Sequence, residues 1–193
     1  MLRILLLLAL APTAPAHPAS SPPPVPGTAG GGGNVLLTVE EALKLAFPEG
    51  KVERKVHYLT PEQKKRASRL AGEEIRGGIA VAYIGRSRKD GSLLGVAWFD
   101  THKIRTKRET IMVVVGTDGK VRRIEVLAFG EPEEYLPAGR WLAQFQGRGL
   151  DDRLKIRGDI RGISGATLTA QAVTSAVRRV LALHTVLQGT PSS

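Results

Sequence analysis

The sequence predicts an α+β fold, an antiparallel sheet packed by helices. Three observations carry that expectation. Two Thr-led capping boxes, at Thr38 and Thr60, open short amphipathic helices. Apolar runs of period two, broken by Asp-Gly turns, fill residues 79–128. A last helix follows a Gly-punctuated loop, and its apolar positions Val173, Ala176, Val177, Val180 and Leu187 share one face.

The N-terminus reads as an export signal over residues 1–16. Met1-Leu2-Arg3 is a short positive region, Ile4 to Ala11 is continuously apolar, and Ala14-Pro15-Ala16 offers a small-x-small cleavage site. The apolar run is shorter than the roughly 20 residues that span a bilayer. An uncleaved anchor stays open, because Pro15 and Pro18 crowd the cleavage point. Residues 17–33 are rich in Pro, Ser, Ala and Gly, a linker that is stiff at Pro22-Pro23-Pro24 and flexible at Gly30 to Gly33. The domain proper is expected over residues 34–189, with a tail at 190–193.

Each element then has its own signal. Thr38-Val39-Glu40-Glu41 starts a helix whose Val39, Ala42, Leu43, Ala46 and Phe47 share a face, and Pro48-Glu49-Gly50 ends it. Lys51 to Leu59 is expected as a short strand. Thr60-Pro61-Glu62-Gln63 starts a highly charged helix with Ala67, Leu70 and Ala71 as its apolar edge, closed by Gly77-Gly78. Ile79 to Ile84 and Leu93 to Phe99 are strands around the Asp90-Gly91 turn. Lys103 to Lys107 alternates basic and other side chains. Ile111 to Val115 and Val121 to Ala128 flank Thr117-Asp118-Gly119-Lys120, a hairpin cue. The result is an antiparallel meander.

Composition narrows the function. The 193 residues are 42% hydrophobic and 24% charged, ordinary for one globular domain with tails. There is no cysteine. That excludes disulfides, Cys-linked haem and Cys-held iron–sulfur clusters, so a redox role needs a cofactor held by other groups. The net charge is +10; without Arg3, 27 basic and 18 acidic side chains remain, or +9. Nucleic acid is not expected as a partner, given the export signal and an aromatic content of 5%. The charge suits an anionic membrane surface or acidic redox partners, and a well-solvated surface accounts for it equally. His57, His102 and His184 lack metal-ligand spacing. His184 falls on the apolar face of the last helix, as a core histidine would. No Ser/His/Asp set or phosphate-binding Gly-rich signature occurs.

Two stretches carry candidate chemistry. The first is Gly130-Glu131-Pro132-Glu133-Glu134-Tyr135 with Trp141, Gln144 and Phe145 after it. Its aromatic rings can stack on a flat ligand or anchor the core, and its loop backbone can hydrogen-bond a ring edge. Phe145 reads as core, while Tyr135 and Trp141 stay open between the two roles. The second is Ser164-Gly165-Ala166-Thr167-Leu168-Thr169, where the Arg157 to Gly165 loop runs into the last helix. A helix start offers unpaired N–H donors and the positive end of the helix dipole. Gly165 and Ala166 allow close approach, and a threonine hydroxyl there can hold a phosphate or be esterified to one. The alternative is that Thr167 or Thr169 serves only as an N-cap.

This hexamer resembles the motif of the FMN-binding domain family, which includes the periplasmic C subunit of sodium-translocating NADH:quinone reductase, the Rnf complex G subunit and small secreted proteins. The family motif reads Asp-x-x-Ser/Thr-Gly-Ala-Thr, followed by Leu or Ile and then Ser or Thr. Ser164, Gly165, Ala166, Thr167, Leu168 and Thr169 match in place. The Asp falls on Arg161, and the nearest acid, Asp159, lies two residues early. The resemblance implies FMN as cofactor, phosphoester-linked through Thr167; the Arg161 departure leaves non-covalent FMN open. It implies that the Glu131-Pro132 loop lines the flavin pocket, where the Tyr135 and Trp141 rings are candidates to stack on the flavin.

It further implies an extracytoplasmic, periplasmic electron carrier. Its partners would be a flavin transferase for maturation and membrane oxidoreductase subunits or cytochromes for redox exchange. The alternatives are an extracytoplasmic flavin-dependent reductase and a cofactor-free basic binding module.

Overall fold

The computed structural model describes residues 34–188. The export signal over 1–16, the linker over 17–33 and the tail over 190–193 lie outside the described residues.

Both capping boxes form. Helix α1 spans Val39–Ala46; Thr38 Oγ1 accepts the Glu41 N–H at 3.2 Å, and the Glu41 carboxylate accepts the Thr38 N–H at 2.8 Å. Helix α2 spans Pro61–Ala71 with the same reciprocal pair between Thr60 and Gln63. The expected stop at Gly77-Gly78 is corrected: α2 ends at Gly72, which takes the left-handed cap at φ +80°. Arg178 secures that end. Its guanidinium donates to the carbonyls of Ala71 and Leu70 at 3.0 and 3.3 Å and to Asp151 O at 2.7 Å. A cation at a helix C-terminus satisfies carbonyls that have no partner within the helix.

Six antiparallel strands form one sheet in the order β1-β6-β5-β4-β3-β2. They are β1 Asn34–Val35, β2 Gly50–Tyr58, β3 Ile79–Ser87, β4 Leu93–Lys103, β5 Arg108–Val115 and β6 Val121–Phe129. Strands β2 to β6 are the expected meander, and the two-residue β1 adds to the edge of β6. The β3–β4 register runs from Ala82↔Trp98 to Arg86↔Leu93, although both strands continue past Ala82 and Trp98. The alternating stretch Lys103 to Lys107 is also corrected. Strand β4 ends at Lys103, and Ile104 to Lys107 is a tight turn in which the Ile104 N–H donates to Lys107 O at 3.1 Å.

Both faces of the sheet are covered. Helix α4, Thr167–Gln188, lays Val173, Val177, Val180 and Leu181 on Val96, Trp98, Ile111, Val113 and Val115. On the other face α1 brings Ala42 and Phe47 to Tyr83, Ala97, Met112, Val114 and Leu127. Ile111 to Val115 are therefore all buried, which is why β5 reads as an unbroken apolar run. Helix α2 packs on α4 through Ala67, Ala71, Ala182 and Val186. His184 is buried; its Nδ1 accepts the Trp98 indole N–H at 3.3 Å, and burial holds its pKa down to about 4. It is a satisfied core histidine.

Candidate functional site

The path into α4 is fixed by the segment before it. Helix α3, Gly139–Leu142, and a 3-10 turn over Ala143–Phe145 bury Trp141, Leu142 and Phe145. The Trp141 and Phe145 rings meet edge to face at 5.4 Å. The Trp141 indole N–H donates to Arg161 O at 2.7 Å, and Gln144 Oε1 accepts the Arg161 N–H at 3.0 Å. Both backbone groups of Arg161 are thus held while its side chain is exposed. Asp159, the acid nearest the motif's missing Asp, is engaged by the Arg148 and Arg153 guanidinium groups.

From there the chain makes one β-turn. The Ala166 N–H donates to Ile163 O at 3.1 Å, and Gly165 in the third position has φ +78°. A side chain at that φ would be strained, which accounts for the glycine. Helix α4 then begins, with Ala170 N–H on Ala166 O at 3.1 Å. Ala166 is therefore the N-cap residue and Thr167 the first helical residue. Neither Thr167 nor Thr169 is the N-cap, so that alternative fails. Alanine has no side-chain acceptor, and the N–H groups of Thr167, Leu168 and Thr169 have no acceptor among the described residues. A 22-residue helix thus opens with free donors.

A recess of about 240 Å³ lies at this helix start. Gly165, Ala166, Thr167, Leu168 and Thr169 form one wall; Ile104, Arg105, Glu131 and Tyr135 form the other. Thr167 and Leu168 are exposed, and Thr169 is buried. Glu131 fixes the second wall. Its Oε1 accepts the N–H groups of Arg105, Thr106 and Lys107 at 3.2, 2.8 and 2.9 Å. The Lys107 and Thr106 backbone donors hold the Glu131 carboxyl below its ordinary pKa. The carboxylate thus ties the β4–β5 turn to the loop after β6.

Seven of the nine site residues singled out in the sequence line this recess. Ser164 and Trp141 do not: Ser164 stands exposed on the β-turn, and Trp141 is a core residue that aims the loop. Ile104 and Arg105 were missed. Their only local signal was the basic alternation of Lys103 to Lys107, and their place depends on Glu131, 24 to 26 residues away.

A second group, centred on the end of β4, has no sequence signal. Two residues before Ile104, His102, whose side chain is 8% exposed, bonds Asp100 through Nδ1 and Glu109 through Nε2, each at 3.0 Å. Arg179 of α4 grips both Asp100 oxygens at 3.0 and 2.7 Å and reaches Glu73 at 2.7 Å. Burial pulls the His102 pKa down, but the two carboxylate hydrogen bonds win and raise it to about 8. Burial pushes Glu109 up; burial also acts on Asp100, whose His102 and Arg179 bonds nevertheless keep it low. Among the described residues no cluster suits a metal ion.

The recess offers free helix donors, a guanidinium, an exposed hydroxyl, and apolar surface from Ile104, Leu168 and Tyr135. Anion donors beside an apolar shelf suit an anionic group with a flat, apolar part. Residues 107–182, under half of the 193-residue chain, match the FMN-binding domain family. No curated relative matches the sequence. That match supports a flavin-binding role with FMN as the cofactor.

The wall residues fit that group. The N–H groups of the first α4 turn and Arg105 suit its phosphate, and Leu168, Ile104 and the Tyr135 ring suit its apolar body. The recess is smaller than the roughly 300–1,000 Å³ of sites that enclose small ligands. It can cover part of FMN and leave the rest at the surface.

Proposed function

We propose that this chain is an extracytoplasmic electron carrier whose FMN is joined by a phosphoester to Thr167 Oγ1. The observation that carries the reading is the place of Thr167: an exposed hydroxyl on the first helical residue, inside the recess, beside uncapped N–H donors. Those donors stabilise the phosphate charge that remains after esterification, typically by 0.3 to 1 kcal/mol. A flavin transferase would supply the group from FAD. The Thr167 oxygen–phosphorus bond forms, the diphosphate bond of FAD breaks, AMP leaves and the hydroxyl proton is released.

Retention is the physical reason for a covalent link outside the cytoplasm. Free FMN is dilute there, so a dissociable cofactor is lost by mass action. When bound, FMN supplies electron transfer in single or paired steps; the protein supplies position and field. Leu168 and Tyr135 exclude water from one side, Arg105 offers positive charge, and Glu131 holds the turn that carries Arg105. A recess too small to enclose a second substrate favours a carrier, with membrane oxidoreductase subunits or cytochromes as partners, over a reductase. The export signal read in residues 1–16 favours a periplasmic place, and the net charge of +9 left after that segment favours association with an anionic membrane surface.

The test is co-expression with a flavin transferase, followed by intact mass and a visible spectrum. The wild-type chain gains the mass of one esterified FMN, and Thr167→Ala stays folded without it. Arg161→Asp, which restores the family's acid, raises the yield of modified protein. An equal mass gain in Thr167→Ala overturns the linkage. A colourless, unmodified wild-type chain overturns the carrier reading.

A further inference from the structure

A second cavity, of about 440 Å³, opens where β3 and β4 part. Trp98 and Ala80 belong to the α4 face of the sheet, and Tyr83 belongs to the α1 face, yet all three line it. A continuous sheet would keep those faces apart. The cavity is a slot through the sheet, made by the β3–β4 pairing that stops at Ala82↔Trp98. Its volume falls within the range of small-molecule sites.

The walls are apolar, with Ile79, Trp98, Phe99 and Leu183 among them, but polar atoms interrupt them. The Tyr83 hydroxyl is buried without a hydrogen-bond partner, and the whole residue is 5% exposed. The Arg54 Nη2 is buried and equally unpartnered. Arg76 also lines the slot and pairs with no carboxylate among the described residues. The acid on the wall, Asp100, is already taken by Arg179 and His102. Buried donors left without acceptors cost free energy, and this protein holds two on one cavity. An anion with an apolar body supplies what both lack.

We infer that the β3–β4 slot is a ligand site for a monocarboxylate with an apolar chain. The carboxylate accepts from Arg54 and the Tyr83 hydroxyl, with Arg76 adding charge, while the chain lies against Trp98, Phe99 and Leu183. This site is separate from the recess at Thr167. It uses no flavin contact and stands whether or not FMN is attached.

The experiment is calorimetric titration of the full chain with decanoate, with decan-1-ol and acetate as the uncharged and chainless arms. One saturable site for decanoate is expected, with both control arms at least about tenfold weaker. Arg54→Met weakens decanoate by about tenfold or more. Tyr83→Phe also weakens it, yet unfolds at an equal or higher temperature, because a buried unpaired hydroxyl has been removed. Flavin loading is unchanged in both variants, which separates this result from the fate of the carrier reading. No saturable binding, or the same affinity in both variants, overturns the inference. So does binding at several sites that fades with salt, since that reports only the basic surface.

Discussion

Raising the pH from 6.5 to 8.5 should destabilise this fold through His102. Asp100, Glu109 and, through Asp100, Arg179 surround the imidazole, and the carboxylate bonds lift its pKa from 6.5 to about 8. The folded state therefore binds the His102 proton more tightly than the unfolded chain does. Its stabilisation is complete below pH 6.5 and is lost as pH rises through about 8. At about 1.4 kcal/mol for each pH unit, the loss is about 2 kcal/mol. Glu109, raised by burial, acts in the same direction from its ordinary 4.5 upward. His184 acts on the acid side: its pKa is held down to about 4, so its contribution is lost as pH falls from 6.5 toward that value. Stability should peak near neutral pH.

The assay is urea unfolding at half-unit pH steps for the wild type and for His102→Gln, which keeps a hydrogen-bonding side chain but cannot titrate. The wild type should lose about 2 kcal/mol more than the variant across the window. Ring-proton titration by NMR should place His102 near 8. Equal pH slopes in the two proteins, or a His102 that titrates at 6.5 or below, would refute the reasoning.

Phe145→Ala should cost about 3–5 kcal/mol by denaturant unfolding, because the ring is fully buried and meets Trp141 edge to face; a loss under about 1 kcal/mol would mean the segment repacks. Glu131→Ala should speed hydrogen exchange at the Thr106 and Lys107 amides and lower flavin loading, while the global unfolding temperature changes little. Unchanged exchange there would show that the turn holds itself.

The capping boxes at Thr38 and Thr60, the Asp90-Gly91 and Asp118-Gly119 turns and the alternating strands were legible in the chain, because each is decided by residues within a few positions of one another. The helix start at Thr167 was legible for the same reason. Ambiguity entered where local chemistry offered two answers. Gly72 and Gly77-Gly78 can both end a helix, and Arg178, more than 100 positions away, secures the first. Lys103 to Lys107 alternates like a strand, but Glu131 draws three of its backbone donors into a turn.

By itself, then, the sequence determined most of the elements, their order and the threonine that opens α4. Only the tertiary structure decided that Tyr135 lines the recess while Trp141 stays in the core, aiming the loop through Arg161 O. It alone joined His102 to Glu109 across two strands and Arg179 to Asp100 across 79 positions. Periodicity records which face of an element is apolar. It holds no record of which distant polar atom arrives to complete a hydrogen bond, because that partner is chosen by packing.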